Sequence, residues 1–283
     1  MIDITRFKGE YLDSIKNSGV NIESSDIVYV AGSLVEGEIS SIGFGMGNEY
    51  SDIDLFVIKT NAEPSNNIHS YSVNNRRFDF KKIQGKHFDV ETYDIQQLVE
   101  IFNSIKSVDF GLNKNLKKQI KLPSGWTFTT LNSIIHRLFM SCSIQNDSQY
   151  KELKQKLDLK KYQKIYFGIL MNRIDDATSD VMGNLTDFAS RTTAMYVIRQ
   201  SYVHLLEMIL LTQGYTNDRP KWSFLKFNNL LQQYEQYREV WNWYQKVHFE
   251  GINLEKESSK IVIEDAQIFL NEYIEYLEEK INA

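Results

Sequence analysis

Two short runs of carboxylates carry the chemical interest of this sequence. One is Asp52 and Asp54 in Ser51-Asp52-Ile53-Asp54-Leu55, and the other is Asp89 and Glu91 in Phe88-Asp89-Val90-Glu91. Side chains alternate along a strand, so each pair shares one face at roughly 7 Å spacing, with apolar neighbours on the other face. Carboxylates that close repel unless a cation lies between them. Hard oxygen donors at this spacing suit magnesium, which keeps several waters and takes one or two carboxylates together with substrate phosphates. If the two strands are neighbours, three or four carboxylates converge on one point.

A complementary feature lies upstream. The run Ile27-Val28-Tyr29-Val30-Ala31 ends at Gly32-Ser33, where a residue without a Cβ lets the backbone turn sharply and approach a ligand. Ser33 adds a hydroxyl and an N–H at the expected start of a short helix over 34–38, and helix N-termini favour phosphate. A triphosphate fits between that turn and the carboxylates.

The elements that position these groups fall into two halves. Residues 1–120 read as an α/β domain, a small mixed sheet with helices. A helix is expected over 3–16, buried strands over 27–31 and 51–58, and strands over 77–83 and 86–93 joined by a tight turn at Gln84-Gly85. Asp94 is the expected N-cap of a helix over 94–105. Glycines 37, 43, 45 and 47 mark a long spacer between the first two strands, either a flap or an extended turn. Residues 121–283 read as an all-α antiparallel bundle. Its helices are expected near 129–140, 151–171, 186–212 with Gly214 just beyond, 223–247 and 259–281.

Composition sets outer bounds. The chain has 283 residues, 42% of them hydrophobic, which is enough for a sizeable core without disulfides. A net charge of −5 argues against coating nucleic acid by bulk attraction and leaves room only for a local basic groove. The single cysteine, Cys142, reads as a small core residue; no stretch is long and apolar enough to span a membrane, and a cytoplasmic setting is expected. Aromatic residues reach 13%, and many of them fall in the helical half. His136 and His204, both embedded in apolar helical runs, read as satisfied core residues.

The combination of a strand, Gly32-Ser33, a spacer, Asp52-Ile53-Asp54 and a later Asp between apolar residues resembles the polymerase-beta-like nucleotidyltransferase superfamily. It is closest over residues 25–95. The helical half is similar in style to small-molecule nucleotidyltransferases that modify antibiotics or natural products. The resemblance implies that Asp52 and Asp54 ligate two Mg²⁺ ions and that Gly32 and Ser33 contact the triphosphate. It also implies a third carboxylate on a neighbouring strand. Asp89 is favoured over Asp79 of Phe78-Asp79-Phe80, because Glu91 shares the face of Asp89 and reaches the same metals. In the helical half, Tyr196 and Arg199, which share a helix face, and Lys221 beside Trp222 are candidate nucleotide contacts.

The activity so implied is Mg²⁺-dependent transfer of a nucleoside monophosphate, AMP from ATP, onto a hydroxyl of a small molecule. Two alternatives stand beside it. One keeps the chemistry with RNA or a protein side chain as acceptor, and the other is a non-catalytic, antitoxin-like binding protein of the same fold. The partners expected are a nucleoside triphosphate and a small acceptor, with no membrane and no nucleic acid; the oligomeric state is left open.

Overall fold

The structure, a computed structural model, describes residues 11–60, 71–73, 76–111 and 115–282. Its contacts divide the chain into two units, Met1–Asp158 and Leu159–Ala283. The first therefore extends well past residue 120, where the change of periodicity alone sets the boundary.

The first unit is a six-stranded mixed sheet with helices. After helix α1 (Leu12–Asn17) come β1 (Ile27–Ala31), α2 (Ser33–Ile39), β2 (Ile53–Lys59), β3 (Tyr71–Val73), β4 (Arg76–Ile83) and β5 (Lys86–Asp94). Then follow α3 (Ile95–Lys106), α4 (Leu116–Gln119), α5 (Phe128–Phe139), β6 (Cys142–Gln145) and α6 (Asp147–Lys156). The strand order is β3-β4-β5-β2-β1-β6. β2 and β5 run parallel, and the other neighbours pair antiparallel. Of the helix expected over 3–16, residues 1–10 lie outside the described residues, and the remainder is α1.

Every residue of β1 is buried, as an inner strand with both faces covered requires. Val28 and Val30 join Ile53, Leu55, Val57, Phe88 and Val90 in one apolar layer, which α1 closes with Leu12 and Ile15. The opposite face is aromatic. Tyr29 stacks on Phe56 at 5.0 Å and Phe56 on Tyr93 at 6.3 Å, and Trp126 meets Tyr93 edge-on. The β4–β5 hairpin turns at Gln84-Gly85, both with positive φ, the geometry whose twist matches that of the flanking strands. Asp94 caps α3 by accepting from the Gln96 N–H at 2.6 Å.

Strand β6 departs from the expectation that strands end near residue 120. It is short and carries two polar residues, so its pattern is weak. Side-chain amides fix it instead: Gln145 and Asn146 donate to the carbonyls of Glu23, Ser24 and Asp26. Cys142 sits on this strand, paired with Val30, and packs partly buried against the apolar layer.

The second unit is helical: α7 (Leu159–Gly183), α8 (Phe188–Thr212), α9 (Pro220–Leu231), α10 (Arg238–Phe249) and α11 (Ser258–Asn282). α8 packs against the other four and is buried on most sides from Leu205 to Leu211, as a central helix must be. The short link between α7 and α8 makes these two contacting helices antiparallel neighbours. Asp187 caps α8 through the Ser190 N–H. Gly214, at φ 82°, ends it in a Schellman motif, with Tyr215 N–H on the Leu210 carbonyl and Gly214 N–H on that of Leu211. Two helices expected to be continuous are each broken in two. The break at Leu157-Asp158 separates α6 from α7, and the turn over Gln232–Tyr237 separates α9 from α10. Among the described residues, no helix is long and apolar enough to cross a membrane.

Candidate active site

Register places the carboxylates. Ala31 lies opposite Asp54 across β1 and β2, and Asp54 lies level with Asp89 across the parallel β2–β5 pair. Adjacent strands are about 4.8 Å apart, so the two half-buried carboxylates share one face at neighbouring positions. Asp52 stands one residue ahead of β2 and is exposed. Asp79 pairs with Val90 and so occupies the other face, where the Arg77 guanidinium grips both its oxygens at 2.8 and 3.1 Å. Pairing thus puts Asp89, the residue favoured from sequence, beside Asp54, and Asp79 on the other face.

The Gly32 turn is built against Asp54. Gly32 has φ 90° and ψ −178°, a region essentially closed to other residues. A Cβ there would lie 1.9 Å from Asp54 Oδ2, so backbone and carboxylate approach as closely as glycine allows. Ser33 opens α2, and the Glu36 N–H closes its first turn on the Gly32 carbonyl at 2.9 Å. At seven residues this helix has a small dipole, so any phosphate contact comes from the first-turn N–H groups and the Ser33 hydroxyl. The glycine-bearing spacer is packed at its middle, while Phe44 and Tyr50 are exposed. Ile42 and Met46 are buried, and a Cβ at Gly43 would lie 2.6 Å from the Glu36 carbonyl.

Glu91 is held by side chains of the protein. It shares the face of Asp89, but its oxygens are already engaged: Arg137 Nη1 donates to Oε1 at 3.0 Å, the Tyr93 hydroxyl donates to Oε2, and Arg76 Nη2 stands 3.5 Å from Oε2. Burial, reinforced by the Glu91 charge, pushes the Tyr93 hydroxyl far above its ordinary pKa, so it remains a donor. Glu91 thus anchors two arginines and a tyrosine of the protein itself. Among the described residues, no group of three or more His, Cys, Asp or Glu side chains is placed to hold a metal ion. Asp54 and Asp89, level on neighbouring strands, are the carboxylates that could hold a divalent ion, for which one or two carboxylates with water and phosphate suffice.

Arg137 is the functional candidate that sequence reasoning missed. It lies in the apolar run Ile134-Ile135-His136-Arg137-Leu138-Phe139 of α5, buried, with Nη1 also 3.6 Å from Asp54 Oδ1. The signal was available, because a charge inside an apolar helical run must be paired. Its neighbour His136 is a satisfied core residue, with Nε2 3.0 Å from the equally buried Glu36 of α2.

The other candidate contacts lie in the helical unit. Tyr196 and Arg199 are both on α8; Tyr196 is exposed, while Arg199 Nε donates to the Val247 carbonyl at 2.6 Å, holding the end of α10. Lys221 lies over the Trp222 ring at 4.9 Å, in the first turn of α9. Arg191 binds the carbonyls of Leu254 and Glu255. The aromatic excess of this half gathers in rings such as Phe224, Trp241, Tyr244 and Phe249.

No protein-family model matches the chain. No curated protein matches it either. Among solved structures it is similar to a nucleotidyltransferase-like protein from Exiguobacterium sibiricum, with a TM-score of 0.43 and 12% sequence identity, over 96% of this chain and 74% of that one.

Proposed function

We propose that the chain is a magnesium-dependent nucleotidyltransferase that moves AMP from ATP onto a hydroxyl of a small molecule and releases pyrophosphate. The observation that carries this reading is the level placement of Asp54 and Asp89 on one sheet face, with the Gly32-Ser33 turn packed against Asp54. It agrees with the superfamily resemblance of the Gly-Ser and Asp-Ile-Asp motifs.

Magnesium, when bound, neutralises charge on the triphosphate and lowers the pKa of the attacking hydroxyl. Asp54 and Asp89 hold it, with Asp52 available at the exposed end of β2. Asp89 takes the proton of the acceptor hydroxyl as general base. The acceptor oxygen then bonds to the α-phosphorus as the bond to the β-phosphate oxygen breaks, and the electron pair leaves with pyrophosphate. The N–H groups at Ser33 and the residues after it orient the phosphates. A small acceptor is preferred to RNA because the net charge of −5 offers little to a phosphate backbone.

The test is thermal stability with each of the four nucleoside triphosphates, with and without Mg²⁺. A triphosphate bound only with metal raises the unfolding temperature by mass action. No metal-dependent shift at millimolar ligand favours the non-catalytic alternative, and tRNA binding that falls steeply with salt favours the RNA acceptor.

A further inference from the structure

We propose that Arg137 is the resident counter-cation of the carboxylate face, holding Asp54 and Glu91 together when no divalent ion is bound and thereby limiting how tightly the face takes magnesium. The metal-free half of this inference stands on the geometry alone; the magnesium half rests on the proposed function.

One nitrogen serves both carboxylates, Nη1 lying 3.0 Å from Glu91 Oε1 and 3.6 Å from Asp54 Oδ1. The guanidinium side chain is 7% exposed, and the two carboxylate side chains are 15% and 16% exposed. Water screens such a cluster weakly, so two like charges there need a cation of the protein's own. The arrangement is pinned from behind. Arg76 and the Tyr93 hydroxyl hold the other oxygen of Glu91, and the Phe56 ring lies under the Arg137 guanidinium at 5.7 Å. Arg137 is therefore fixed at the edge of Asp54. A divalent ion arriving at Asp54 meets a positive charge already in place, and Coulomb repulsion weakens its binding. Removing that charge has two opposed effects: the metal-free protein loses stability, and the metal binds more tightly. A merely structural arginine produces only the first.

The experiment compares the full chain with Arg137→Met, Asp54→Asn and the double variant, by thermal unfolding in chelator and by calorimetric titration with Mg²⁺ alone. Arg137→Met is expected to unfold about 5 °C lower without metal. Asp54→Asn should recover part of that loss in the same background, the closer partner Glu91 staying charged. Arg137→Met should also bind Mg²⁺ about tenfold more tightly than the parent, a gain of the size expected when a nearby like charge is removed. Failure of Asp54→Asn to recover stability, or Mg²⁺ binding no tighter than in the parent, overturns the proposal. If Arg137→Met does not fold, Glu91→Gln decides. It leaves the guanidinium less compensated and is expected to weaken Mg²⁺ binding, and unchanged or tighter binding overturns the proposal. A parent that binds no Mg²⁺ removes the proposed function, while the metal-free cycle still decides the role of Arg137. Conversely, tight Mg²⁺ binding without transfer of any nucleotide leaves Arg137 in its role and ends the catalytic reading.

Discussion

Asp54 and Asp89 stand level on two parallel strands, whereas Asp79 faces the opposite side of the sheet with its carboxylate gripped by Arg77. The same Asp→Asn change should therefore have opposite consequences at the two positions. Asp89→Asn is expected to leave the unfolding temperature within a few degrees of the parent and to abolish nucleotide transfer, as loss of a metal-holding carboxylate does. Asp79→Asn is expected to cost about 3 kcal/mol by breaking a buried ion pair, and to leave turnover per folded molecule unchanged. Denaturant melts and transfer assays on both variants separate the two roles.

Gly32→Ala forces a Cβ to within 1.9 Å of an Asp54 oxygen at a backbone angle closed to alanine. The backbone term costs about 1–3 kcal/mol. The carboxylate must swing away, and displacement of a reacting group by about 1 Å can cost about 100-fold in rate. The expected variant is folded, somewhat less stable, and at least that much slower in transfer. Full activity in a folded Gly32→Ala protein removes the turn from the site.

His136 and Glu36 tie α5 to α2 through a buried hydrogen bond of 3.0 Å. Glu36→Ala leaves the imidazole without its carboxylate and is expected to cost about 2 kcal/mol. His136→Ala should cost about as much, and the double variant less than the sum of the two. Chemical denaturation of all three gives the coupling; strict additivity shows that the two side chains do not support one another.

His248 gives the helical unit an acid sensitivity with a definite sign. Burial, with a smaller contribution from the Arg199 charge, lowers its pKa below the ordinary imidazole value, while Tyr244 stacks on it at 4.0 Å. A base whose folded pKa is depressed binds its proton more readily when unfolded. Its contribution to stability is present above the unfolded value of about 6.5 and is lost as pH falls through the folded value. The unfolding temperature should thus decline below about pH 6.5 more steeply in the parent than in His248→Asn. Identical slopes for the two proteins count against this role.

What the sequence made legible was local. The hairpin at Gln84-Gly85, the Asp94 cap, the Gly32 turn and the Gly214 stop each depend on a few consecutive residues, and each lies where its chemistry requires. The choice between Asp79 and Asp89 was only partly legible: Glu91 on the face of Asp89 favoured it, but both satisfy the same alternation and only strand pairing assigns the face. The partners of Glu91 were hidden for a similar reason: Arg76, Tyr93 and Arg137 come from two strands and a helix, and the carboxylate pattern contains none of them. The breaks at Leu157-Asp158 and after Leu231 were hidden because apolar spacing continues across both.

The pairing of β1 with β6 also bears on how the protein is made. Residues 27–31, a buried strand, are synthesised before residues 142–145, which pair with one edge of it. Until then the growing chain exposes an unpaired, uncharged strand edge, the kind of template on which nascent chains aggregate. Arg137 and His136 emerge only in the last stretch before that edge closes. A fragment stopping at residue 120 would hold all the candidate carboxylates of the sheet and still lack both the strand that seals it and the cation that balances it. The smallest piece of this chain able to present the site in solution is therefore expected to reach at least Asp158.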